Sequence, residues 1–197
     1  MPRKPRQLID HGCYHLIARG NNRQPILGQE EAFRDFLHEL KLAKERYPSK
    51  IYHYCLMSNH VHLLVEIERG DYLPKFMQRV LQGYGRRYQK RTGYIGHVWQ
   101  GRYKSPFVDK ESYFLEAGRY IERNPLRAKI VDDLSDYRWS SYLYYAYGRH
   151  DSLVEEDPYY CRLDPDLSKR QEQYRDFVRL RSPYDTVLDQ EFLEKPF

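Results

Sequence analysis

The sequence predicts an α+β fold: an antiparallel sheet with helices packed on one face, followed by a helical C-terminal extension. Two observations carry this prediction. Short runs rich in β-branched and aromatic residues indicate strands, and longer segments with apolar residues at three- and four-residue steps indicate amphipathic helices. Over the first 130 residues these segments alternate as strand, helix, a pair of strands, helix, strand and helix.

The predicted elements are joined by short connections with recognisable stop signals. The loop at residues 19–25 is rich in turn formers and cations, and Pro48 ends the first helix. Gly83 and Gly85 interrupt the second helix, at about 1 kcal/mol each relative to alanine, and either permit a close backbone approach or mark a bend. The predicted strands are residues 13–18, 50–56, 60–67 and a short extended piece at 107–108, and the predicted helices are residues 29–46, 71–91 and 109–123.

Residues 132–197 differ from the rest of the chain in composition. A short helix begins near Trp139, residues 151–166 form an acidic loop, and a last helix covers residues 167–180 before a tail. The sequence therefore predicts a main domain over residues 1–131, with the remainder as a C-terminal helical extension and tail.

The composition limits the class of protein. Hydrophobic residues make up 41% of the 197 residues, which is enough for a core. The three cysteines form neither a disulfide framework nor a CxxC metal pair, which suits a reducing compartment. No apolar run approaches the ~18 residues of a membrane span, and no signal-peptide core follows the N-terminal cations. We therefore expect a cytoplasmic protein without a membrane partner.

Charge is distributed unevenly along the chain. Residues 1–130 hold 24 Lys and Arg against 13 Asp and Glu, whereas residues 131–197 hold 9 against 15. The overall formal charge of +5 therefore conceals a strongly basic first two thirds. Together with the aromatic content, this asymmetry favours a nucleic-acid partner over an ordinary solvated surface.

The most informative motif is His60-Val61-His62, inside a run that is typical of a strand. Side chains alternate along a strand, so both imidazoles leave the same face, about 7 Å apart, while Val61 points toward a core. Two rings at this spacing can converge on one cation. The motif is short enough to arise by chance, so its context has to decide.

A second pair of polar residues lies on the third predicted helix. Tyr120 and Asn124 are four residues apart and therefore share one helix face. Asn124 offers an amide oxygen and Tyr120 a phenol, so with the two histidines they would form a metal site beside a nucleophile. Mixed nitrogen and oxygen ligands favour Mg²⁺ or Mn²⁺ over structural zinc. Tyr113, two turns before Tyr120, is the alternative nucleophile.

Four stretches of the sequence, taken in order, resemble one known family. They are YHL…RGNNRQP at residues 14–25, MSNHVHLL at 57–64, WQGRYK at 99–104 and RYIERNPLRA at 119–128. Together they resemble the REP-associated tyrosine transposases, which are single-tyrosine HUH nucleases related to the transposases of small insertion sequences. The resemblance covers roughly residues 8–145 and does not extend into the C-terminal region.

The resemblance implies a ferredoxin-like antiparallel sheet and a defined chemistry. It makes His60, His62 and Asn124 the ligands of a divalent metal, Mg²⁺ or Mn²⁺, and Tyr120 the nucleophile. Many relatives carry glutamine as the third ligand, and asparagine fits the REP-associated branch. The substrate would be single-stranded DNA beside a hairpin at repetitive extragenic palindromes, cleaved through a 5′-phosphotyrosine that leaves a free 3′-OH. This branch is expected to act as a monomer, whereas the related insertion-sequence enzymes form dimers.

The remaining predictions concern DNA contacts and the base that takes the phenol proton. Basic residues would hold phosphates, and tyrosines or Trp99 would stack on unpaired bases. Glu66 is a candidate for the base, against the simpler interpretation of a surface charge. His15, His53 and His97 are interpreted as packing or surface residues. The predicted DNA-binding residues are Arg19, Asn22, Arg23, Arg86, Arg87, Lys90, Trp99, Arg102, Lys104 and Arg127.

Two other classes of function are open at this stage. A hairpin-binding protein without catalysis would use the same sheet, although the joint presence of two histidines, the asparagine and the tyrosine argues against a decayed site. A replication-initiation or relaxase-type HUH nuclease would usually carry a helicase domain or a second tyrosine pair, and this chain has no P-loop motif. A covalent protein–DNA adduct on a palindromic repeat would separate the transposase from both.

Overall fold

The computed structural model describes residues 6–108, 114–182 and 185–186. Its strands are β1, Gly12–Arg19, β2, Ser49–Leu56, and β3, His60–Ile67. They form an antiparallel sheet in the order β1-β3-β2. The predicted hairpin between β2 and β3 is confirmed, and its turn closes with a 2.8 Å hydrogen bond from Met57 N to His60 O.

The helices that flank the sheet lie close to their predicted positions. They are α1, Glu30–Arg46, α2, Tyr72–Thr92, α3, Phe114–Glu122, α4, Asn124–Arg127, α5, Tyr142–Tyr147, and α6, Leu167–Arg179. The helix α2 continues through Gly83 and Gly85, so neither residue ends it. The predicted start of the third helix at residue 109, the alternative nucleophile Tyr113 and most of the predicted tail lie outside the described residues.

Residues 99–107 run beside β1 as a fourth, interrupted strand. Isolated antiparallel bridges join Gly20 to Trp99, Ile17 to Lys104 and Tyr14 to Phe107. The sequence predicted only a short extended piece at 107–108. Gly101 has a φ of 65° and interrupts the extended backbone, so the segment before residue 107 does not have a continuous strand pattern. With it the order becomes fourth segment, β1, β3, β2, which is the ferredoxin-like arrangement, and the predicted α+β class is confirmed.

Both faces of the sheet are covered by helices. On one face Leu16 and Leu63 belong to the main core with α1 and α2. On the other face Ile17 and Leu64 belong to a second apolar cluster with α3. We expected helices on one face only, because the order of strands and helices along the chain is typical of a two-layer sandwich. Apolar side chains on the same face as the histidines, among them Ile17 and Leu64, provide the surface that α3 buries. This packing brings Tyr120 against the face that carries the histidines.

An ion-pair network joins α1 to α2. Glu39 is buried and accepts hydrogen bonds from Arg79 and, at 2.6 Å, from Arg87 Nε. Asp35 pairs with Arg91 and lies 3.5 Å from Arg87. A Cβ on Gly83 would collide with the Glu39 carboxylate, so the glycine at this position permits the close approach of α1 to α2.

The C-terminal region packs beside β2. Ser141 N donates to Tyr54 O at 3.0 Å, and Val154 forms a parallel bridge with Ile51. Buried tyrosines of α5 and α6 join the main core. The boundary at residue 131 stays a prediction. In the part of the chain that the structure describes, no helix has the length and apolar character needed to cross a membrane.

Candidate active site

The two histidines of β3 form the centre of the site. His62 is fully buried, His60 is half-buried, and their ring centroids lie 4.9 Å apart with the planes nearly perpendicular. Because β3 is the central strand and is paired on both sides, its backbone holds the two side chains in a fixed relation.

Each histidine uses its Nδ1 atom for a hydrogen bond within the protein. His60 Nδ1 lies 2.6 Å from Asn59 Oδ1, and His62 Nδ1 lies 2.9 Å from His15 Nε2. His62 Nε2 is buried without a hydrogen-bond partner among the described residues. A hydrogen bond at one ring nitrogen orients an imidazole and leaves the other nitrogen to bind a metal.

The environment keeps these imidazoles neutral. Burial lowers the pKa of His60 to about 4, with a further contribution from the charge of Arg19. Burial also holds the pKa of His62 well below its usual range and lowers the pKa of His15 to about 3. Neutral rings retain a lone pair, which is the state that coordinates a cation.

Tyr120 faces the histidines from α3. Its ring centroid lies 5.9 Å from that of His15 and 6.0 Å from that of His62, edge-on to both. The Arg127 Cζ atom lies 4.8 Å from the centre of the Tyr120 ring. A cation beside the phenol stabilises negative charge that develops there or on an adjacent phosphate.

Asn124 occupies the break between α3 and α4. Pro125 has no N–H to donate to the carbonyl of Ile121, four residues earlier. The side-chain Nδ2 of Asn124 makes that bond instead, at 3.1 Å, and also donates to Tyr120 O at 3.0 Å. The amide nitrogen is thereby committed to the helix, and the carbonyl oxygen is the atom of this side chain that can serve as a ligand.

The donor set fits a divalent cation. The buried, unpartnered Nε2 of His62 and the neutral ring of His60 could supply two nitrogen ligands, and the Asn124 amide could supply an oxygen. Within the described residues no group of three or more His, Cys, Asp or Glu side chains is arranged to hold a metal.

His15 belongs to this site, although the sequence analysis treated it as a packing residue. It contacts both the ring of His62 and that of Tyr120. The signal that would have found it is the strand register: Ile17 lies opposite His62, so His15 is its diagonal neighbour on the same face. That register depends on which strands pair.

A buried polar network stands behind α3. His53 bonds Glu122 Oε1 at 2.9 Å and Asp157 Oδ2 at 3.1 Å, and Tyr174 donates to Glu122 Oε2 at 2.7 Å. Burial acts to lower the pKa of His53, but the hydrogen bonds and charges of the two carboxylates outweigh it and raise the pKa to about 9. Glu122 follows Tyr120 by two residues, so this network ties the tyrosine-bearing helix to the C-terminal region.

The predicted base and one predicted DNA contact are placed elsewhere. Glu66 lies opposite Cys13, six residues along β3 from His60, about 20 Å away at strand rise. It accepts a 2.8 Å hydrogen bond from the Tyr52 hydroxyl, so it is neither the base nor a free surface charge. Arg87 is held by the acidic residues of α1, which gives it a structural task.

Several of the other predicted DNA contacts lie near the end of the sheet that carries His60. Arg19 pairs with His60 in the β1–β3 register. Asn22 and Arg23 follow in a short 3₁₀ turn with φ values of 50° and 56°. Arg86, Trp99 and Arg102 line one cavity, Lys90 is exposed on α2, and Lys104 lies in the fourth segment.

Comparison with known proteins gives the family. Residues 9–124 match the family model described as "Transposase IS200 like". The match covers more than half of the chain, so the protein belongs to the IS200-like transposases, which are enzymes that act on DNA. The family that the sequence motifs resemble is thereby confirmed.

One solved structure shares the fold, and a second gives a weaker match. A REP-associated tyrosine transposase bound to a REP hairpin matches with a TM-score of 0.62 and 20% identity, over 79% of this chain and 98% of that one. A putative transposase from Deinococcus radiodurans R1 gives a TM-score of 0.44 and 18% identity, over 68% of this chain and 97% of that one. None of the curated proteins matches the chain significantly.

Proposed function

We propose that this transposase cleaves and rejoins single-stranded DNA beside hairpins of repetitive extragenic palindromes, through a covalent bond to Tyr120. The observation that supports it most directly is the approach of the Tyr120 ring to two buried, neutral histidines on neighbouring strands, His15 of β1 and His62 of β3. The similar structure with a REP hairpin supports the substrate class.

In this proposal His60, His62 and Asn124 would hold Mg²⁺ or Mn²⁺, which would withdraw charge from the scissile phosphate and orient it. The Tyr120 oxygen attacks phosphorus, forming a tyrosine–phosphate bond at the 5′ side while the bond to the 3′ oxygen breaks. The phenol proton passes to solvent, and the departing 3′ oxygen takes up a proton. Attack by a 3′-OH reverses the step without an external energy source, because the phosphodiester energy is retained in the tyrosine ester.

The surrounding side chains have separable tasks. Asn59 and His15 hold the rings of His60 and His62 in orientation. Arg127, beside the Tyr120 ring, stabilises the charge that develops during attack. Other exposed cations near this end of the sheet bind DNA phosphates without reading sequence, as arginine and lysine do in most DNA complexes.

Tyr120→Phe tests the nucleophile. A hairpin oligonucleotide with a single-stranded flank is incubated with Mn²⁺, and the covalent adduct is detected by denaturing gel electrophoresis. We expect the variant to bind the oligonucleotide but to form no adduct and no cleaved product. Tyr142→Phe is the matched control, because the buried Tyr142 hydroxyl has no hydrogen-bond partner in the described chain. It should react like the natural protein.

The same assay decides between the alternatives. If Tyr120→Phe still cleaves the oligonucleotide and Tyr113→Phe does not, the nucleophile is Tyr113. Absence of any adduct with the natural protein on palindromic repeats would favour a hairpin-binding protein without catalysis. An adduct on replication-origin DNA but not on palindromic repeats would favour an initiator or relaxase.

A further inference from the structure

A cavity of about 540 Å³ lies between α2 and the loop that leads into the fourth segment of the sheet. One wall is a stripe on α2 formed by Gln78, Gln82, Gly85, Arg86 and Gln89, which follow one another at steps of three, four and one. The facing wall includes Trp99, Arg102 and Tyr103. Its volume is in the range of about 300–1,000 Å³ typical of sites for small ligands, so a nucleotide fits it and a duplex does not.

The cavity is near the candidate active site. Trp99 is bridged to Gly20, whose N–H donates to the carbonyl of Asn59 at 2.8 Å, and Asn59 precedes His60. Two strand spacings, about 10 Å, therefore separate the backbone at Trp99 from that at His60. A single strand whose scissile phosphate lies at the histidines can reach the cavity with a base only a few nucleotides away.

Trp99 provides a fixed aromatic surface. Its indole Nε1 donates to Leu81 O at 2.9 Å, and its ring packs against Phe36 and Tyr84 at centroid distances of 6.1 and 5.6 Å. The side chain is nevertheless only half-buried and lines the cavity. An indole held in this way stacks on a base without losing further conformational freedom.

The charges on α2 differ between its two sides. Arg79, Arg87 and Arg91 are neutralised by the acidic residues of α1. On the cavity side Arg86 and Arg102 are exposed, and within the described residues no acidic side chain pairs with either. The cavity therefore combines cations for phosphates with glutamine amides, which donate to and accept from base edges.

The glycine at position 85 indicates that the cavity beside α2 is kept free of side chains. Among the described residues, a Cβ on Gly85 would meet only Val98 Cγ2, at 4.0 Å, so none of their atoms requires glycine there. Alanine would favour the helix, because glycine is among the poorest helix formers. At Gly83, two residues earlier, a Cβ would collide with the Glu39 carboxylate, which explains the glycine. At Gly85 the described chain offers no such steric explanation. A ligand that needs the space beside residue 85 explains why this residue is glycine.

We infer that this cavity binds one unpaired nucleobase of the single-stranded DNA that flanks the scissile phosphate. Trp99 stacks on the base, Arg86 and Arg102 bind its neighbouring phosphates, and the glutamines of α2 contact its edge. The Tyr103 hydroxyl, buried without a hydrogen-bond partner among the described residues, gains one from the base or from an accompanying water. This inference rests on the proposed action on single-stranded DNA.

The test is a binding measurement without divalent metal, so that cleavage plays no part. Single abasic sites are placed in turn along the flank of a hairpin oligonucleotide, and affinities are measured for the natural protein and for Gly85→Leu, which fills the cavity. We expect one abasic position to weaken binding by about 5- to 100-fold, the effect of one stacked base. Gly85→Leu should weaken binding of the intact flank by a similar factor and be insensitive to that abasic position.

Lys75→Leu is the control, since it adds the same side chain to an exposed position of α2 outside the cavity. It should retain the sensitivity to the abasic position. Additive losses from Gly85→Leu and from the abasic site, or no sensitive position at all, would overturn the inference.

A second measurement does not depend on how a variant folds. With the natural protein, 2-aminopurine at the sensitive position should lose fluorescence on binding, because it stacks on the indole. Unchanged fluorescence at every flank position contradicts the inference. If the natural protein shows this binding pattern but forms no adduct at Tyr120, only the proposed catalysis is refuted.

Discussion

The His15 side chain is one hydrogen bond from His62 and is buried together with it. Its Nε2 lies 2.9 Å from His62 Nδ1, so it fixes the orientation of the ring whose other nitrogen points to no partner in the described chain. Outer partners of this kind raise the affinity of a histidine for its metal by holding the ring in position. His15 is therefore a positioning residue, while His60 and His62 are the proposed ligands.

His15→Ala should lower the affinity for Mn²⁺ by about 10- to 100-fold, because His62 loses the bond that orients its ring. Isothermal titration calorimetry of the DNA-free protein measures this, and urea unfolding reports any loss of stability. His15→Gln, which can still bond His62 Nδ1, should recover part of the affinity. His38→Ala, at an exposed position of α1, is the control. A purely structural role would lower stability in His15→Ala and leave the Mn²⁺ affinity of the folded protein unchanged.

At the scale of elements, α2 carries two sets of cations with different tasks. Arg87 bonds the buried Glu39 at 2.6 Å, whereas its neighbour Arg86 faces the cavity beside Trp99. Adjacent residues on a helix point about 100° apart, so neighbours in sequence contact different surroundings. The sequence shows two equivalent arginines, and the structure gives one to the α1–α2 interface and the other to the exposed side.

Glutamine substitutions of these two arginines should therefore have opposite effects. Arg86→Gln should weaken DNA binding and reduce the slope of log affinity against log salt by about one, because one phosphate contact is lost. Arg87→Gln should leave that slope unchanged and lower the free energy of unfolding by about 1 kcal/mol, since Glu39 loses one of its two partners. Salt titrations of DNA binding and urea unfolding measure the two effects. Equal reductions in salt slope would show that Arg87 also reaches DNA.

A structural feature could be predicted from the sequence when it depends on residues close together in the chain. The bounds of α1 and α2 agree within one residue of the predictions, because both follow from apolar periodicity, and β3 follows from its alternating run. The packing of α3 against the histidine face and the fourth segment beside β1 depend on which surfaces meet. In the site, motif resemblance indicated His60, His62, Tyr120 and Asn124, but His15 required the strand register.

The network behind α3 is the clearest case of a feature that no local pattern reveals. His53 and Asp157, 104 residues apart in sequence, are joined by a 3.1 Å hydrogen bond. Ser141 and Tyr174 both donate to Glu122, and the ring of Tyr145 stacks on His53 at 4.5 Å. A strand, the tyrosine-bearing helix and the C-terminal region therefore share one buried set of charges.

At the scale of the whole molecule, this network makes stability depend on pH. The pKa of His53 is raised to about 9 in the folded protein, against about 6.5 in an unfolded chain. The folded state therefore binds the proton more tightly. The contribution is fully present below about pH 6.5 and is lost as pH rises toward about 9. Three groups face His53. They are Glu122 of α3, the Tyr145 ring of α5, and Asp157 in the loop after α5.

Urea unfolding between pH 6 and pH 9.5 tests this expectation. The free energy of unfolding of the natural protein should fall across this interval, by an amount on the order of a few kcal/mol. In His53→Gln the protein should be less stable at pH 6 and its stability should vary less with pH. Other groups that titrate in the interval, such as the cysteines of the unfolded chain, affect both proteins equally, so the difference between the two curves isolates His53. Parallel curves would mean that His53 has the same pKa in the folded and the unfolded protein, which would contradict the expectation.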